Sequence, residues 1–399
     1  RDVKPDRLPV LVVGAGPVGM VAAALLAKLE VPLIVLEAGA QLQPELRAST
    51  FHAPTLDMLD DLGAATPLVA EGIVAPRLQY RTSGGGVVAE FDFGVLADVT
   101  RHPFRLQCEQ FKLTRILHDL LHDRPGFALR FGAAVVDCTD LDDRVVATLA
   151  TGAEIEGAYL IAADRARSAV RRSAGIAFEG FTWPERFLVL STPSDLSDLI
   201  PGLAPVSYFT EPYGWFFLLR VPGVWRAMFP VPSEVADEMA TSAGYARARL
   251  RSIDPRAVDL SMNHRTLYRV HQRVAETFRR GRVLLAGDVA HVNNPLGGMG
   301  LNGGVHDAVS LAPRLAAVWH GTAPTSELDV YGRQRRGVTV EHVQRQTINN
   351  KRNLEACGAE EKRAFYARLT EAASDPAKAH TYLLDASMIS SLRRAAEIA

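Results

Sequence analysis

Short apolar runs and one longer apolar run alternate near the start of the chain. The stretch VLVVGAGPVGMVAAALLAKLEVPLIVLEAG, residues 10–39, opens with a short run, passes through a glycine turn and continues as a longer, alanine-rich run. A second short run then ends at Glu37. Runs of this length and order are typical of strand, helix and strand, so the pattern predicts a βαβ unit of about 30 residues.

Three glycines lie where the first strand turns into the helix. Gly14, Gly16 and Gly19 form the spacing G-x-G-x-x-G around Pro17, and Glu37 follows Gly16 by 21 positions. In such a turn the first glycine bends the chain, the second admits a pyrophosphate and the third lets the helix pack on the strand, while the acid binds a ribose. The context favours a dinucleotide site over a structural turn, although the fingerprint serves nicotinamide and flavin cofactors alike.

A second strand signal later in the chain is followed by an unusual density of glycine. The apolar run at residues 283–286 ends in Gly287-Asp288, and the stretch GDVAHVNNPLGGMGLNGG, residues 287–304, precedes a helical pattern over residues 305–319. Glycine permits positive φ and lets main chain approach a flat ligand. A carboxylate, glycines and a helix N-terminus therefore predict a second contact with the same ligand, against the alternative of a flexible surface loop.

The sequence pattern changes over residues 171–270, where aromatic residues and prolines alternate with short apolar runs. APVSYFT, GWFFLLRVP and WRAMFPVP are examples, and they predict the strands of a separate sheet. The last stretch of the chain is charged and mostly helical in pattern. We expect it to form a solvated flank of the nucleotide-binding domain.

Composition narrows the classes of function. The chain has 399 residues, 48% hydrophobic and 22% charged, enough for at least one large core. A net charge of −1 means that the chain has no excess of positive charge to attract nucleic acid or an anionic membrane. A small substrate is therefore expected. Cys108, Cys138 and Cys357 lack a CxxC pair, which argues against a disulfide framework or a cysteine-rich metal site and fits a cytoplasmic protein. Residues 8–27 are too interrupted by glycine and proline to predict a membrane span.

Three motifs together resemble one protein family. The G-x-G-x-x-G with Glu37, the segment IAADRARSAVR at residues 161–171 and the stretch GDVAHVNNPLGGMGLNGGVHDA at residues 287–308 are similar, in order and spacing, to the single-component flavoprotein aromatic hydroxylases, the family of para-hydroxybenzoate hydroxylase. The resemblance spans residues 9 to about 335. It implies a mixed α/β (α+β) fold, in which a Rossmann-like FAD-binding domain is joined by a discontinuous β-sheet substrate domain and C-terminal helices.

The resemblance also divides the chain into segments. The segments expected are 1–74, 101–170 and 271–335 for the FAD-binding domain, 75–100 and 171–270 for the substrate-binding domain, and 336–399 for the C-terminal helices.

The same resemblance assigns residues to FAD. Asp288 and Gln110 would contact the ribityl chain and Arg47 the pyrophosphate, with a solvated arginine and a helix-terminal glutamine as the alternatives. The loop after Asp288 would lie along the flavin ring, with N–H groups of Leu301 and Asn302 stabilising negative charge on the reduced flavin. The expected FAD contacts are Gly14, Gly16, Pro17, Gly19, Glu37, Arg47, Gln110, Asp164, Gly287, Asp288, Pro295, Gly298, Gly300, Leu301 and Asn302.

One position departs from the family's pattern. The middle motif normally carries Asp-Gly, whereas this chain has Asp164-Arg165. If the second position needs positive φ, arginine costs about 1–2 kcal/mol there. If it does not, a guanidinium near the cofactor phosphates could be neutral or helpful. We expect Arg165 in place of glycine to affect the docking of the pyridine nucleotide more than the binding of FAD.

The activity implied by the resemblance is aromatic hydroxylation. NADPH or NADH would reduce FAD, and a flavin C4a-hydroperoxide formed with O2 would oxygenate a phenol-like or N-heteroaromatic substrate under an apolar cover. A flavin-dependent halogenase and a non-oxygenating flavin oxidoreductase of the same fold are the alternatives, although the halogenase signature W-x-W-x-I-P does not occur in the sequence. No metal site is expected, because no Cys/His spacing supports one.

Candidates for substrate binding lie in the aromatic-rich region and the glycine-rich loop. Arg220 and Arg226 sit in or beside apolar runs, so either could bind a substrate carboxylate or form a structural salt bridge. Pro295 is also a catalytic candidate, because it belongs to the loop that would lie along the flavin ring. His291 is expected to have a structural role. Side chains that could hydrogen-bond a phenol, or could simply belong to the core, are Tyr208, Tyr213, Tyr268 and His271.

Overall fold

The structure, a computed structural model, describes residues 7–44, 49–84, 86–211, 214–356 and 358–399. Arg47, Tyr213 and Cys357 lie outside these ranges. No helix within them is both long and apolar enough to cross a lipid bilayer.

Twenty strands and thirteen α-helices form within the described ranges. In chain order, strands β1 to β20 are Val10–Val13, Leu33–Leu36, Thr50–Phe51, Ile73–Ala75, Arg77–Thr82, Val87–Asp92, Arg105–Gln107, Phe127–Arg130, Val135–Asp140, Val145–Leu149, Glu154–Gly157, Tyr159–Ala162, Phe178–Thr192, Val206–Glu211, Gly214–Val221, Val224–Val231, His264–Ala275, Arg279–Arg280, Val283–Leu285 and His291–Val292. Helices α1 to α13 are Pro17–Lys28, Ala53–Asp60, Ala65–Ala70, Gln110–Leu121, Ala169–Ser173, Asp237–Ala240, Ala243–Ile253, Met299–His320, Glu327–Val338, Arg345–Glu355, Ala359–Ala372, Pro376–Ala386 and Ile389–Glu397. A π-helical stretch, Thr339–Gln344, joins α9 to α10.

The predicted βαβ unit lies at the centre of a six-stranded sheet. The strand order is β18-β19-β12-β1-β2-β8, and β1 pairs in parallel with both β2 and β12. Helix α1 begins at Pro17, whose fixed φ suits a first helical turn and whose missing N–H is not needed there. Strands β1 and β12 are wholly buried, as expected for a parallel sheet covered on both faces. The expected Rossmann-like unit is confirmed.

The aromatic-rich region forms an eight-stranded sheet. Its order is β20-β17-β13-β16-β15-β14-β5-β6, and β14 pairs with β5 in parallel, while its other neighbour, β15, is antiparallel. Strands β5 and β6 come from the segment 75–100, as the discontinuous arrangement requires. The sheet also includes β20 and the end of β17, so it extends beyond residue 270.

The two faces of this sheet pack against different parts of the molecule. Trp215 and Phe217 belong to a hydrophobic cluster that also contains Leu296 of the glycine-rich loop, whereas Phe216 and Leu218 belong to a cluster that includes helix α7. Consecutive strand residues point to opposite faces, so each position is committed to one cluster. We call the face with Trp215 the inner face and the opposite one the outer face.

The C-terminal helices do not form the solvated flank that their charge suggested. Leu354 of α10, Phe365 and Leu369 of α11 and Leu383 of α12 are buried in the same cluster as the inner face. Their charged residues lie on the sides that face water, while apolar residues at helical spacing pack inward. The expectation from the sequence was wrong, and these helices complete the core on the inner face.

The turn after β12 gives a test of backbone strain. Arg165 has a φ of +73°, so this position does require the left-handed conformation that favours glycine. In Arg165→Gly the relief of strain exceeds or balances the added entropy of the unfolded chain, so the free energy of unfolding should stay level or rise by about 1 kcal/mol.

Chemical denaturation measures this change, with Arg167→Gly as the control. Arg167 is also exposed but has no positive φ, so its replacement should lower the free energy of unfolding by about 0.5–1 kcal/mol. An equal loss in both variants would contradict the strain at Arg165.

Candidate active site

The three glycines of the first motif have different steric surroundings. A methyl group on Gly14 would lie 2.5 Å from the carbonyl oxygen of Ala163, and one on Gly19 would lie 2.0 Å from the oxygen of Gly14. A methyl group on Gly16 would meet nothing within 4 Å. The first and third glycines thus permit close packing of main chain, whereas Gly16 borders open space at the N-terminus of α1, where a pyrophosphate fits.

Glu37 is held beside this turn by main-chain N–H groups. It directly follows β2, and its carboxylate oxygens accept hydrogen bonds from Ala15 N (2.8 Å) and Gly39 N (2.8 Å). A carboxylate has about four acceptor positions, so capacity remains for a ribose hydroxyl. The geometry is compatible with the predicted ribose contact.

Asp164 is a largely buried carboxylate at the end of β12. Burial raises the pKa of its carboxyl group, and hydrogen bonds from Ser168 and from N–H groups at the start of α5 oppose that shift. Its Oδ1 atom is buried and has no hydrogen-bond partner among the described residues. Since an unsatisfied buried acceptor costs about 1–3 kcal/mol, this atom is suited to a donor on a bound nucleotide.

The second motif begins with a single 3-10 turn, Gly287–Val289, after β19. Gly287 has a φ of +77°, and a methyl group on Gly304 of α8 would lie 3.0 Å from its Cα atom. These two glycines therefore let the turn and α8 meet closely. Asp288, the next residue in this turn, is exposed at the protein surface.

The glycine-rich loop leads into the N-terminus of α8. Gly297 and Gly298 have φ values of +95° and +67°, and Gly298 is the residue that caps the helix. The first helical N–H groups, including those of Gly300 and Leu301, have no acceptor within the helix. They give this end a partial positive charge, which suits the electron-rich edge of a reduced flavin.

Asn302 has a structural role in this region. Its side-chain oxygen accepts from His52 N (2.8 Å), and its amide nitrogen donates to the carbonyls of Thr50 (2.9 Å) and Gly298 (2.7 Å). The side chain thus joins α8 to β3. In a regular helix the N–H of this fourth residue bonds to the capping carbonyl, so Leu301 remains the better predicted donor to a flavin.

A buried ionic network lies behind the turn at Gly287. Oδ2 of Asp307 accepts from Gly287 N (3.0 Å) and lies 2.8 Å from His291 Nε2, and Oδ1 accepts from Arg335 Nε (2.7 Å). Burial alone would raise the pKa of Asp307, but His291 and Arg335 outweigh it and lower the pKa to about 2. The ionised carboxylate therefore holds the turn, β20 and α9 to α8.

A cavity of about 250 Å³ lies between the glycine-rich loop, the inner face of the sheet and the C-terminal helices. Gly297 borders it from the loop, Tyr80 and Tyr208 from the sheet, Arg105 from β7 and Tyr382 from α12. It therefore lies beside the main chain that we expect to contact the flavin.

Three tyrosines are among the polar residues that line the cavity. The Tyr208 hydroxyl oxygen accepts from Gly297 N (3.1 Å), and the Tyr208 and Tyr80 rings stack with 5.3 Å between centroids. The hydroxyl oxygens of Tyr80 and Tyr382 are 3.0 Å apart. Burial raises the pKa of both Tyr80 and Tyr382, so these phenols stay neutral near pH 7 and can donate hydrogen bonds.

Comparison with known proteins identifies the cofactor that this geometry fits. Residues 7–346 match a family model described as FAD binding domain. The chain is also 33% identical over 384 residues to para-nitrophenol 4-monooxygenase of Pseudomonas sp. strain WBC-3, which covers 94% of each chain. The chain belongs to the single-component FAD-dependent aromatic hydroxylases.

Two further matches agree with this family. The hydroxylase is 34% identical over 355 residues to 6-hydroxy-3-succinoylpyridine 3-monooxygenase HspB of Pseudomonas putida strain DSM 28022 / S16, covering 86% of this chain and 88% of the relative. The crystal structure of p-nitrophenol 4-monooxygenase PnpA from Pseudomonas putida DLL-E4 aligns with a TM-score of 0.90 at 31% identity, covering 97% and 98%. The predicted family, FAD cofactor and enzyme class are confirmed.

Three predicted candidates for the substrate site of the hydroxylase lie on the inner side. Tyr208 borders the cavity. Arg226 is buried on the inner face, where its Nη1 donates to Ser49 Oγ (3.3 Å) and burial lowers the pKa of its guanidinium. Tyr268 is half-buried and close enough to Arg226 to interact with its charge. Arg226 therefore lies between the inner face of the eight-stranded sheet and Ser49, which precedes β3.

Two other candidates do not line the cavity. Arg220 lies on the outer face, about half-exposed, and its Nη2 is 3.1 Å from Asp195 Oδ2, which is the structural salt bridge that we left as the alternative. His271 follows Val270 of the inner cluster and so points to the outer face, where its Nδ1 is 2.8 Å from Thr182 Oγ1. Burial and neighbouring arginines lower the pKa of His271. Neither residue is placed to touch a ring in the cavity.

Gln110 and Pro295 remain predicted contacts to the cofactor. Gln110 is the first residue of α4 and is half-buried. Pro295 is exposed in the glycine-rich loop, and its carbonyl accepts from Gly298 N (3.0 Å).

The sequence analysis missed Arg105, Tyr80 and Tyr382 in the hydroxylase. Tyr80 lies in the alternating stretch RLQYRT, and Tyr382 lies in the C-terminal region that we expected to be solvated. Arg105 lies between Phe104 and Leu106 in the sequence. A charged residue between two apolar ones could have indicated a buried arginine. The strand there has only three residues, too few to show which side is buried.

The exposed carboxylate of Asp288 should contribute to FAD retention. In Asp288→Ala we expect the Kd for FAD to rise about five- to 150-fold, because an acceptor for the ribityl hydroxyls is lost at a cost of about 1–3 kcal/mol. Fluorescence titration of the apoprotein with FAD measures this. Asp123→Ala, at a carboxylate 91% exposed, is the control and should leave the Kd unchanged; an unchanged Kd in both variants would exclude the predicted contact.

His306 should make the hydroxylase sensitive to mild acid. Burial, with a smaller contribution from Arg335, lowers its pKa to about 3, against about 6.5 in the unfolded chain. The folded state therefore requires the neutral form. Its contribution to stability is complete above pH 6.5 and is lost as pH falls towards 3, at about 1.4 kcal/mol per pH unit.

Chemical denaturation between pH 6.5 and about 4.5 tests this slope, which lies within the window set by the two pKa values. In His306→Gln the slope of the free energy of unfolding against pH should fall by the contribution of one proton. In His122→Gln, which replaces a half-exposed histidine, the slope should stay the same. Equal slopes in the wild type and His306→Gln would contradict the buried neutral histidine.

Proposed function

We propose that this hydroxylase inserts one atom of O2 into a phenol or hydroxypyridine with a single aromatic ring, using NADH or NADPH as the electron donor. The observation that carries the proposal is the cavity bordered by Gly297, Tyr208 and the C-terminal helices. It offers a partly open space, lined by polar and apolar groups, beside the main chain expected to contact the flavin. FAD, when bound, supplies the electron-transfer and oxygen chemistry.

The size of the cavity supports a small substrate. At about 250 Å³ it lies below the range of about 300–1,000 Å³ typical of pockets for drug-sized ligands. Two relatives that align over most of both chains are named for p-nitrophenol and 6-hydroxy-3-succinoylpyridine. Each of these compounds has one aromatic ring that bears oxygen, which agrees with the volume.

The tyrosines would orient the ring by hydrogen bonds rather than remove its proton. Tyr80 and Tyr382 have raised pKa values because they are buried, so neither is a base near neutral pH. Tyr208 accepts from Gly297 N and keeps its own hydroxyl proton to donate. An oxygen substituent of the substrate would thus find donors at one side of the cavity.

The C-terminal helices would keep water from the reacting atoms. Leu354 and Leu369 border the cavity and are buried in the same cluster as Tyr208. Exclusion of water prevents loss of reactive intermediates by hydrolysis and strengthens electrostatic interactions inside the site. This gives the C-terminal segment a direct part in the proposed activity.

A halogenase or a non-oxygenating oxidoreductase is less well supported than a monooxygenase. The aligned relatives that cover most of the chain are named as monooxygenases. Neither alternative gains support from a specific residue of the cavity.

Turnover with isotopically labelled O2 tests the proposed function. With FAD, NADH or NADPH, and 4-nitrophenol or a hydroxypyridine, we expect faster nucleotide oxidation and one labelled oxygen atom in the product. Bromide serves as the halogenase control and should give no brominated product. Nucleotide oxidation that yields only hydrogen peroxide with all these substrates would contradict a hydroxylase of single-ring phenols.

Tyr208→Phe tests the role of the Gly297 contact. Loss of the hydroxyl removes a hydrogen bond worth about 0.5–1.5 kcal/mol, so KM should rise about two- to tenfold and more hydrogen peroxide should form per NAD(P)H oxidised. Tyr245→Phe is a matched control, because Tyr245 packs in the outer cluster. Unchanged KM and coupling in Tyr208→Phe would remove Tyr208 from the substrate site.

A further inference from the structure

Arg105 is a buried cation whose hydrogen-bonding capacity is only partly used. The residue is 2% exposed and borders the cavity. Its Nη2 donates to the carbonyl of Ala386 (3.2 Å), and its guanidinium carbon lies 5.2 Å from the centre of the Phe93 ring. Its Nε is buried without an acceptor among the described residues.

Another buried arginine in the described chain has a carboxylate as its counter-ion. Arg335, also 2% exposed, is paired with Asp307 through a 2.7 Å contact. The described residues place no carboxylate within 4.0 Å of Arg105, and the cavity lining contains none. A buried charge without a counter-ion is expensive, so this site is suited to an anion from outside the protein.

The groups around the cavity make its electrostatic character cationic. Besides Arg105, the lining contains Arg368, which is exposed and donates to Asn353 Oδ1 (3.2 Å). The titratable phenols are Tyr80, Tyr208 and Tyr382, and the charge of Arg105 stabilises the ionised forms of Tyr80 and Tyr382. That stabilisation does not overcome burial for the two protein phenols, which stay neutral.

His52 is close enough to Arg105 to interact with its charge, and it does not add a positive charge of its own. Its Nε2 is 2.8 Å from the Gly297 carbonyl oxygen, and burial together with the Arg105 charge holds its pKa well below the usual value. Arg105 is thus the buried cation of the cavity, whereas Arg368 is exposed at its border. A ligand oxygen beside the tyrosines would meet the neutral phenols of Tyr80 and Tyr382 and the charge of Arg105.

We propose that Arg105 is the counter-ion of the substrate's phenolate oxygen and that it lowers the pKa of the bound phenol. This inference rests on the proposed function, since it assigns the ionisation state of that substrate. The O–H bond of the phenol breaks, its electron pair stays on oxygen, and the proton leaves to bulk water. The phenolate is the more electron-rich ring and is therefore the better partner for an electrophilic oxygen. Arg105 contacts the substrate in this account, whereas Arg220 does not.

The visible absorbance of 4-nitrophenol distinguishes its neutral and ionised forms, so it reports ionisation in the oxidised holoenzyme without turnover. We expect the pKa of bound 4-nitrophenol to lie below its value in free solution in the wild type. In Arg105→Met that pKa should rise by at least about one unit, and the Kd of the phenolate should rise at least about tenfold. Arg105→Lys should restore part of the shift, since it keeps the charge but loses the planar fork.

Controls separate the proposed contact from other effects. Arg220→Met removes an arginine from the outer face and should leave the bound pKa unchanged. FAD content should stay the same in every variant, and flavin loss in Arg105→Met and Arg105→Lys alike would instead assign Arg105 to the cofactor. 4-Nitroanisole, which keeps the nitro group but has no ionisable hydroxyl, should bind the wild type and Arg105→Met equally.

The outcomes distinguish this inference from the proposed function. If the wild type turns over 4-nitrophenol but Arg105→Met leaves the bound pKa unchanged, the counter-ion role is wrong and the hydroxylase function stands. If Arg105→Met weakens 4-nitroanisole as much as 4-nitrophenol, Arg105 binds the other end of the ring and the inference also fails. If the wild type neither binds nor oxidises 4-nitrophenol or a hydroxypyridine, both proposals fail.

Discussion

The buried carboxylate of Asp307 is the interaction on which the arrangement of the site depends. It binds Gly287 N, His291 and Arg335, which belong to three different parts of the FAD-binding region. Removal of one partner from such a buried pair typically costs about 3–5 kcal/mol, so these parts are strongly coupled. Because α8 carries Asp307, its N-terminus and the preceding glycines are fixed relative to the six-stranded sheet. The position of the cavity follows from that.

The cavity combines elements that are far apart in sequence. The glycine-rich loop supplies main chain, the inner face supplies Tyr80 and Tyr208, and the last helices supply Tyr382 and an apolar wall. Burial keeps Tyr80 and Tyr382 protonated, so these two phenols can donate hydrogen bonds but cannot act as bases near neutral pH. A buried cation such as Arg105 can favour an ionised phenol directly. The polar chemistry of the site therefore depends on the burial of Tyr80 and Tyr382 between the sheet and the C-terminal helices.

The local parts of the fold could be predicted from the sequence, and the parts set by packing could not. The βαβ unit and the turn at Gly287 are specified by residues that are close together in the chain. At such turns glycine is needed for close packing of main chain or for a positive φ, so its spacing predicts the local structure. The faces of the eight-stranded sheet depend on pairing between distant strands, so the chain alone did not show that Arg220 points outward and that Arg105 is buried. The many charged residues of α10 to α12 likewise suggested a solvated segment, so the apolar positions that border the cavity were not predicted.

The central claim is that an aromatic ring is held between the glycine-rich loop and the C-terminal helices. A crystal structure of the holoenzyme with FAD and 4-nitrophenol tests it most directly. The account predicts the flavin along residues 295–301, with the ring of 4-nitrophenol inside the cavity bordered by Tyr208 and Tyr382. A ring bound on the outer face, or in a position that leaves this cavity filled with water, would contradict the account.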